Sequence, residues 1–333
     1  MTPDRPGLSM PRLIALDWGT TSMRSWLLGD EGRILETREP AGGLLDMAAG
    51  IDAADPAARA RAYEAAYLDV CGGWLRDHPG LPALACGMVG SAQGWCEAGY
   101  LTVPARLDST ARSLTEITLA AGAVHLVPGL RVASDARHDI PGDVLRGEET
   151  QVIGVLELIA RPDAEHIVVL PGTHTKWMRI EDRTVRSFTT AMSGELYGLV
   201  TGHGLLSHTA TDPRRDDAAF TRGLTAGFSP RERGLATALF GARALVLDGL
   251  LAPSSLADYL SGVVLADEVR HLLPQYRAER IVLCGNADLC RRYAAALRMR
   301  GVVTEVVGED AAAAGLWSIA VAAGVVAAEA ASR

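Results

Sequence analysis

The chain has little positive charge. Its 333 residues include 32 lysines and arginines against 40 aspartates and glutamates, which gives a formal net charge of −8 and a pI near 5.5. This balance argues against nucleic acid or an anionic membrane surface as the main partner, because both attract basic proteins. We therefore expect no nucleic-acid partner and no membrane partner, and we expect an anionic small ligand to meet local positive groups.

Cysteines and long apolar runs are also scarce. The five cysteines are odd in number and include no Cys-x-x-Cys pair, so we expect reduced structural thiols in a cytoplasmic protein. Residues 1–11 are polar and contain proline, unlike the core of a signal peptide. The apolar stretch at 311–331 is rich in alanine and interrupted, which favours a packed helix over a membrane span. The length of the chain is enough for two domains. The sequence is compatible with a homodimer as well as with a monomer.

The stretch from Leu13 to Leu28 contains the first candidate site. Four apolar residues typical of a buried strand lead into Asp17, and a turn then leads into a second strand. The turn consists of Gly19, Thr20, Thr21 and Ser22. A glycine lets the backbone approach a ligand, and the hydroxyls add donors beside the N–H groups, which suits a chain of phosphates. Asp17, at the end of the strand, could hold Mg²⁺ through water.

A second copy of this plan runs from His166 to Ile180. An apolar strand leads into a turn and then into another strand, and Gly172 follows Gly19 by 153 residues. The second turn consists of Gly172, Thr173, His174, Thr175 and Lys176. Repetition at nearly half the chain length indicates two similar lobes, whose turns can grip one phosphate chain from both sides. Leu170 replaces Asp17 in the second copy, so any metal carboxylate belongs to the first lobe.

Three further segments carry candidate ligand contacts. After a short apolar strand, Gly90, Ser91 and Trp95 lie in a loop where α/β sheets bind ligands; a tight turn with a packed tryptophan is the open alternative. A helical insert opens near Glu195. A later strand ends in Gly285-Asn286, a turn against which a nucleoside could rest, and Asp288 is placed to cap the next helix.

Residues 108–121 are predicted to be helical.

A helix headed by two glutamates is predicted from Glu148 to Ala160. Its apolar stripe consists of Val152, Val155, Leu156 and Ile159. Glu148 lies four residues before Val152, at the end of this stripe, whereas Glu149 points about 100° away. Acidic residues in a first turn also complement the helix dipole. The stripe favours Glu148 as the glutamate that faces a ligand, and Glu149 as a cap or a partner of Arg146.

Five motifs together make the pattern specific. They are Asp-Trp-Gly-Thr-Thr, Gly-Met-Val-Gly-Ser-x-x-Gly-Trp, Arg-Gly-Glu-Glu-Thr-Gln, Pro-Gly-Thr-His-Thr-Lys-Trp and Ser-Gly-Glu-Leu. In this order, over about residues 12–330, they resemble the 2-dehydro-3-deoxygalactonokinase family of the sugar kinase, Hsp70 and actin superfamily. The turn at Gly285-Asn286 departs from the double glycine of many relatives.

The resemblance implies an α/β fold with two ribonuclease-H-like (actin-like ATPase) lobes and an interlobe ATP cleft. The lobes are expected at 1–160 and 161–333, with a final helix at about 310–330 that packs at the lobe interface. The implied activity is transfer of the ATP γ-phosphate to the 6-hydroxyl of 2-dehydro-3-deoxy-D-galactonate, with Mg²⁺ accompanying ATP. Two alternative functions remain. One is a kinase for a related acid such as 2-dehydro-3-deoxygluconate, and the other is a non-catalytic actin-like nucleotide switch.

The resemblance also implies roles for the candidate residues. Catalysis falls to Glu148 as general base, Asp17 as the Mg²⁺ residue and Glu149. ATP and its phosphates are expected to contact Gly19, Thr20, Thr21, Ser22, Arg24, Gly172, Thr173, His174, Thr175, Lys176, Gly285 and Asn286. The sugar acid is expected to contact Gly90, Ser91, Trp95, Arg146 and Glu195. Arg146 is preferred over Lys176 for the substrate carboxylate, because its guanidinium is planar and bidentate.

Overall fold

The computed structural model of the chain describes residues 9–40, 42–43, 55–231, 234–308 and 310–327. The chain divides into two compact units. Unit 1 holds the residues up to 164, residues 181–187 and the residues from 309 onward, and unit 2 holds residues 165–180 and 188–308. The sequence suggests one boundary near residue 160, with all later residues in the second lobe. In the structure, the last helix belongs to unit 1, together with the first half of the chain.

The regular elements follow one another as two series of strands and helices. The strands are β1 (Leu13–Trp18), β2 (Met23–Leu28), β3 (Ile34–Arg38), β4 (Ala83–Cys86), β5 (Tyr100–Thr102), β6 (Ala105–Arg106), β7 (Thr115–Leu119), β8 (Gly122–Leu126), β9 (Gly129–Val132), β10 (Asp143–Leu145), β11 (His166–Leu170), β12 (Thr175–Glu181), β13 (Thr184–Ala191), β14 (Arg280–Cys284) and β15 (Val303–Val307). The helices are α1 (Pro56–Asp77), α2 (Asp108–Ala111), α3 (Glu148–Leu158), α4 (Ser193–Gly202), α5 (Gly204–Thr209), α6 (Asp217–Gly227), α7 (Leu235–Leu247), α8 (Leu256–Tyr276), α9 (Ala287–Arg298) and α10 (Ala311–Ala322). None of these described helices is long and apolar enough to cross a membrane.

The main sheet of unit 1 has the strand order β3-β2-β1-β4-β8-β7. The first three strands form an antiparallel meander, and β4 and β8 continue in parallel from β1. This order and these directions are those of a ribonuclease-H-like sheet, so the prediction for the first lobe is confirmed. Because β1 and β4 are parallel, Asp17 and Cys86 are register partners at the carboxyl ends of their strands. Strands β10, β9 and β5 form a smaller sheet.

The sheet of unit 2 repeats this plan. Strands β11 and β12 are antiparallel, β13 lies beside β12, and β14 and β15 continue in parallel from β11. The first residues of β13 belong to unit 1, where they pair with β6. Helices α4 to α8 form the predicted insert between β13 and β14. The internal repeat that the sequence shows is therefore a repeat of sheet topology.

Helices α3 and α10 pack against each other within unit 1 through glycines. A Cβ atom on Gly154 would lie 1.7 Å from the carbonyl oxygen of Ala311, and one on Gly315 would lie 2.0 Å from that of Thr150. Contacts this short leave no room for any side chain, so the two helices approach backbone to backbone. The helix that begins with Glu148 is thereby fixed by the last described helix of the chain.

The helix predicted over 108–121 is wrong beyond Ala111. Helix α2 is a single turn, and β7 follows it and pairs antiparallel with β8. The β7 sequence Thr-Glu-Ile-Thr-Leu alternates partly buried and exposed residues and is rich in β-branched side chains. These residues favour a pleated strand once a neighbouring strand is present, and β8 supplies it.

Candidate active site

Asp17 lies at the carboxyl end of β1 in a crowded acidic environment. Its carboxylate interacts with the side chains of Cys86 and Gln151, while Arg24 and Glu148 act on it electrostatically. Burial, and next the negative charge of Glu148, raise its pKa to about 6, and Arg24 and the two hydrogen bonds offset only part of this rise. Asp17 is therefore a carboxylate that a cation would stabilise.

Two glycines with positive φ bring the surrounding loops together. Gly87 follows β4 with φ +90°, and a Cβ there would lie 2.7 Å from the carbonyl oxygen of Trp18 and 3.2 Å from Oδ1 of Asp17. Gly147 precedes α3 with φ +106°, and its Cβ would lie 3.1 Å from the Cα of Gly87. The end of β1, the loop after β4 and the start of α3 can meet only because neither position has a side chain.

The first predicted phosphate turn is closed and presents its hydroxyls to solvent. The N–H of Gly19 donates to the carbonyl oxygen of Ser22 at 2.9 Å, and residues 20–22 are exposed. Arg24, on β2 opposite Asp17, forms an ion pair with Glu39 at 2.7 Å. The hydroxyls of the turn are thus accessible, while the Arg24 guanidinium already has a carboxylate partner.

Glu149 is the buried member of the glutamate pair. It is fully buried; its Oε2 accepts the N–H of Gly147 at 2.7 Å, and its Oε1 accepts the hydroxyl of Thr150 at 2.9 Å. Burial, and next the charge of Glu148, raise its pKa to about 7. Glu149 therefore caps the start of α3 as a carboxyl that is protonated in part near neutral pH.

Glu148 and Glu149 are buried in the opposite sense to the prediction from the apolar stripe. The stripe predicts that Glu148 continues the buried face and that Glu149 points away from it, but Glu149 is the buried residue and Glu148 is partly exposed. The reason is that α3 is buried on nearly all sides, so the apolar stripe does not single out one face. An oxygen of Glu148 accepts the backbone N–H of Arg146 at 3.0 Å. Of the two roles predicted for Glu149, a cap or a partner of Arg146, the structure shows the cap.

Arg146 is a buried cation with unmade hydrogen bonds. Its side chain is only 8% exposed; Nη2 donates to the carbonyl oxygen of Gly99 at 2.8 Å, and the guanidinium lies 4.3 Å from the ring centre of Tyr100. Nε and Nη1 are buried without a hydrogen-bond partner, as is the hydroxyl of Ser91. A Cβ on Gly90 would lie 3.1 Å from Nη1. Three of the predicted substrate residues thus lie around one loop.

Trp95 belongs to the core of unit 1. It is 6% exposed, stacks on Tyr63 at a centroid distance of 6.4 Å and contacts Tyr67 and Trp18. These contacts favour the packed-tryptophan alternative for this residue. The loop itself still holds Gly90 beside the cation of Arg146, and Ser91 follows it with its hydroxyl buried.

The second predicted turn, in unit 2, combines exposed and buried side chains. Thr173 and His174 are exposed, whereas Thr175 and Lys176 are buried. Nζ of Lys176 donates to the carbonyl oxygen of His174 at 2.9 Å, which holds a positive charge under the turn. Nε2 of His174 lies 2.5 Å from the carboxylate of Glu195, so two residues predicted separately are in contact.

A cavity of about 240 Å³ lies beside this turn in unit 2. Its lining includes Gly172, Gly194, Tyr197, Leu265, Leu289 and Tyr293. A larger cavity of about 580 Å³ between α6, α8 and α9 is lined by paired arginines and aspartates and contains no predicted site residue. The smaller cavity has the apolar and aromatic lining that a flat ring prefers.

The turn at Gly285-Asn286 differs from the prediction in one respect. Asn286, rather than Asp288, caps α9: its side-chain oxygen accepts the N–H groups of Asp288 at 3.0 Å and Leu289 at 3.3 Å. Asn286 is the last residue before the helix, while Asp288 is already within its first turn. Gly285, with φ +139°, allows this change of direction. The cap occupies the acceptor oxygen of Asn286, a predicted ATP contact.

Sequence reasoning missed several contributors to the site. Cys86 and Gln151 bond to Asp17, and Tyr100 supports the cation of Arg146; all three depend on contacts that no local pattern reveals. One signal was available. Lys176 is the only lysine in the chain, and the other 31 of its 32 lysines and arginines are arginines. The chain keeps a compact ammonium group at this one position, which marks the turn as chemically special.

Comparison with known proteins agrees with the motifs. The family model of 2-keto-3-deoxy-galactonokinase matches residues 17–319. The chain is 34% identical over 317 residues to the 2-dehydro-3-deoxygalactonokinase of Escherichia coli, covering 93% of this chain and 97% of that protein. It is also 34% identical over 319 residues to a Rhizobium meliloti protein assigned the same name, covering 92% and 95%.

A solved structure extends the likeness to three dimensions. The crystal structure of a Sinorhizobium meliloti protein, provisionally assigned as a 2-dehydro-3-deoxygalactonokinase, superposes with a TM-score of 0.79 at 33% identity. The match covers 96% of this chain and all of that one. The resemblance carried by the motifs is confirmed: the chain belongs to the 2-keto-3-deoxy-galactonokinase family.

Proposed function

We propose that the protein transfers the γ-phosphate of ATP to the 6-hydroxyl of 2-dehydro-3-deoxy-D-galactonate, which gives the 6-phosphate and ADP in galactonate catabolism. The observation that carries the proposal is the grouping of Asp17, Glu148 and Arg146 in unit 1 of a member of this family. Phosphoryl transfer needs mainly positioning and charge neutralisation, together with a proton acceptor for the attacking hydroxyl. Asp17 and Glu148 provide carboxylates for these tasks, and Arg146 provides a cation.

Asp17 is the residue that would serve the Mg²⁺ of ATP. Burial and the charge of Glu148 raise its pKa, and a nearby divalent cation would reverse that effect. Among the described residues, no group of three or more histidines, cysteines, aspartates or glutamates could hold a metal ion. This fits an ion that keeps mostly water and phosphate oxygens as ligands, as Mg²⁺ prefers. The bound ion would neutralise charge on the β- and γ-phosphates.

Glu148 is the better candidate for general base. A base must come within hydrogen-bond distance of the substrate hydroxyl, and Glu148 is partly exposed while Glu149 is fully buried. Both oxygens of Glu149 are also engaged by Gly147 and Thr150. The negative charge of Glu149 or its loss would still act on Glu148, because the two carboxyls interact electrostatically.

Arg146 is the candidate partner for the carboxylate of the sugar acid. The ring of Tyr100 and the carbonyl of Gly99 fix the plane of its guanidinium, so little side-chain freedom remains to be lost on binding. A buried guanidinium nitrogen without a partner is costly, and a carboxylate is the acceptor that satisfies it best. The hydroxyl of Ser91 supplies a second buried polar group without a partner.

In unit 2, the turn at residues 172–176 and the 240 Å³ cavity are the candidate nucleotide contacts. Lys176 places positive charge under the turn, and the apolar side chains of the cavity suit an adenine ring. In unit 1, the exposed hydroxyls at residues 20–22 are the candidate phosphate contacts. The five cysteines form no disulfide, which supports a cytoplasmic location.

The test is an ADP-release assay of the purified protein with Mg-ATP and a panel of acceptors. We expect turnover with 2-dehydro-3-deoxy-D-galactonate and little with glucose, glycerol or galactose, which have no carboxylate for Arg146. The product should carry phosphate at position 6 by phosphorus NMR. Equal turnover with the neutral sugars would disprove a sugar-acid site, and preference for 2-dehydro-3-deoxygluconate would change the substrate but not the reaction.

Asp17→Asn provides the matched inactive variant. It should lower kcat by about two orders of magnitude or more, the scale of losing one preorganised electrostatic contact. Asparagine has nearly the same shape, so circular dichroism should be unchanged. A variant with normal kcat at saturating Mg²⁺ would remove Asp17 from the catalytic group.

A further inference from the structure

Unit 2 contains a buried carboxylate that accepts three hydrogen bonds. Glu268, on α8, is 5% exposed; its Oε1 accepts Nε1–H of Trp177 at 2.7 Å and its Oε2 accepts the hydroxyl of Tyr293 at 2.9 Å. The side chain of Ser193 provides the third bond. Burial raises the pKa of the Glu268 carboxyl, and these three bonds oppose the rise by stabilising the ionised form.

The bonds continue from Tyr293 into the turn at residues 172–176. Tyr293 gives its only proton to Glu268, so its oxygen must accept the proton of Thr175, whose Oγ1 lies 2.7 Å away. Oγ1 of Thr175 is then free to accept only, and the N–H of Gly172 points to it at 3.4 Å. Burial raises the pKa of the Tyr293 hydroxyl well above its usual value, which keeps this proton in place.

These bonds form a chain with one direction, from Gly172 through Thr175 and Tyr293 to Glu268. Hydrogen bonds in such a chain polarise one another, and the effect is strongest where water is absent. Thr175 is fully buried and Tyr293 is 5% exposed, so water does not compete along the chain. The position of the turn is thereby tied to α9 and α8, far from it in sequence.

The start of α4 is attached to the same turn. Ser193 bonds to Glu268, and the N–H of Glu195 donates to the carbonyl oxygen of Thr173 at 2.9 Å. A Cβ on Gly194 would lie 2.3 Å from the carbonyl oxygen of Gly172, so α4 rests directly on the turn. Glu268 therefore reaches the turn along two routes, through Tyr293 and through Ser193.

We infer that Glu268 is a positioning residue that sets the geometry of the phosphate turn through Tyr293 and Thr175. The inference rests on the proposed function, because it assumes that this turn holds the phosphates of ATP. An apolar side chain would fill the same space without burying a carboxylate, so packing alone does not account for glutamate here. Glu268 is not among the residues that line the cavity beside the turn, whereas Ser193 and Tyr293 are, so its effect on ATP passes through the side chains that it holds.

Tyr293→Phe and Glu268→Gln test the inference, with Tyr276→Phe as the matched control. The Tyr276 hydroxyl is also in unit 2 and also makes two hydrogen bonds, to the carbonyl oxygen of Trp177 and to Thr189, but neither reaches the turn. Breaking the chain of hydrogen bonds at Tyr293 or Glu268 should weaken ATP binding about tenfold, measured by titration calorimetry. The KM for the sugar acid should stay the same, and Tyr276→Phe should lower Tm without changing ATP affinity.

A double-mutant cycle separates positioning from stability. Thr175→Val and Tyr293→Phe remove the two ends of one bond, so the double variant should bind ATP about as well as the weaker single variant. Additive losses in this cycle, or unchanged ATP affinity together with a lower Tm in both Tyr293→Phe and Tyr276→Phe, would overturn the inference. Failure of the parent protein to bind ATP would instead refute the proposed function. If Glu268→Gln does not fold, the cycle still decides the question.

Discussion

The pKa of the Glu149 carboxyl gives the sharpest quantitative prediction, because it converts burial into a measurable dependence of stability on pH. Its pKa rises from 4.5 to about 7 on folding, with burial as the main cause. The folded state therefore binds the proton more tightly than the unfolded state does. The corresponding stability is fully present below pH 4.5 and is lost as pH rises through about 7. At 1.36 kcal/mol for each tenfold change in proton affinity, the loss is about 3 kcal/mol.

Glu149→Gln removes this titration while keeping the shape. Glutamine can still accept the N–H of Gly147, and its amide can donate to the hydroxyl of Thr150, which accepts as well as donates. The substitution can also change stability by an amount that does not depend on pH. Between pH 4.5 and 8, the free energy of unfolding of the variant minus that of the parent should rise by about 3 kcal/mol. Urea unfolding at steps of half a pH unit measures this difference.

Glu36→Gln is the control of opposite sign in the same unit. A hydrogen bond from Trp74, and next one from Arg38, hold the pKa of Glu36 below its usual value. Its stabilising effect is therefore present above the unfolded pKa and is lost only as pH falls through the folded one, so this variant should show a constant difference between pH 6 and 8. A constant difference for Glu149→Gln as well would refute the assignment of Glu149 as a buried, titrating cap.

Three other predictions follow from the same geometry. Glu148→Gln should lower kcat by about 10²–10⁴ with ATP binding retained, and steady-state kinetics that found Glu149→Gln to be the inactive variant would reverse the assignment. Arg146→Met should raise the KM for the sugar acid at least about tenfold without changing the KM for ATP; an equal rise in both would place the cation elsewhere. Gly154→Ala should cost about 1–3 kcal/mol in urea unfolding, because its Cβ would lie 1.7 Å from a carbonyl oxygen. Gly198→Ala in α4, where nothing lies within 4 Å, is its control and should be neutral or stabilising.

The two β-meanders could be predicted from the sequence because the residues that define each of them are close together in the chain. Short apolar runs ending in Asp17 and Leu170, each followed by a glycine and hydroxyl turn, predict a buried strand and its partner without knowledge of the rest. The same reasoning fails at β7, where a strand forms only because β8 pairs with it. Local propensity decides little when the neighbouring strand decides the outcome.

The roles of Glu148 and Glu149 could not be separated by periodicity for a related reason. A stripe of apolar residues identifies the buried face of a helix that has one exposed side, and α3 has almost none. Part of its covering comes from α10, which is far from it in sequence. The link from Thr175 through Tyr293 to Glu268 is equally nonlocal, since it joins β12, α9 and α8. Such contacts leave no regular spacing in the sequence.

The glycine contact between α3 and α10 also has a consequence for the order in which the protein is made. A ribosome completes α3 before it begins the strands and helices of unit 2, and it adds α10 after all of them. Domains generally fold as units during synthesis, but unit 1 lacks one wall until α10 emerges. Glu148 and Glu149 therefore acquire their final surroundings only after α10 has been translated. A nascent chain would therefore form the turn at residues 172–176 before the surroundings of Glu148 and Glu149 are complete.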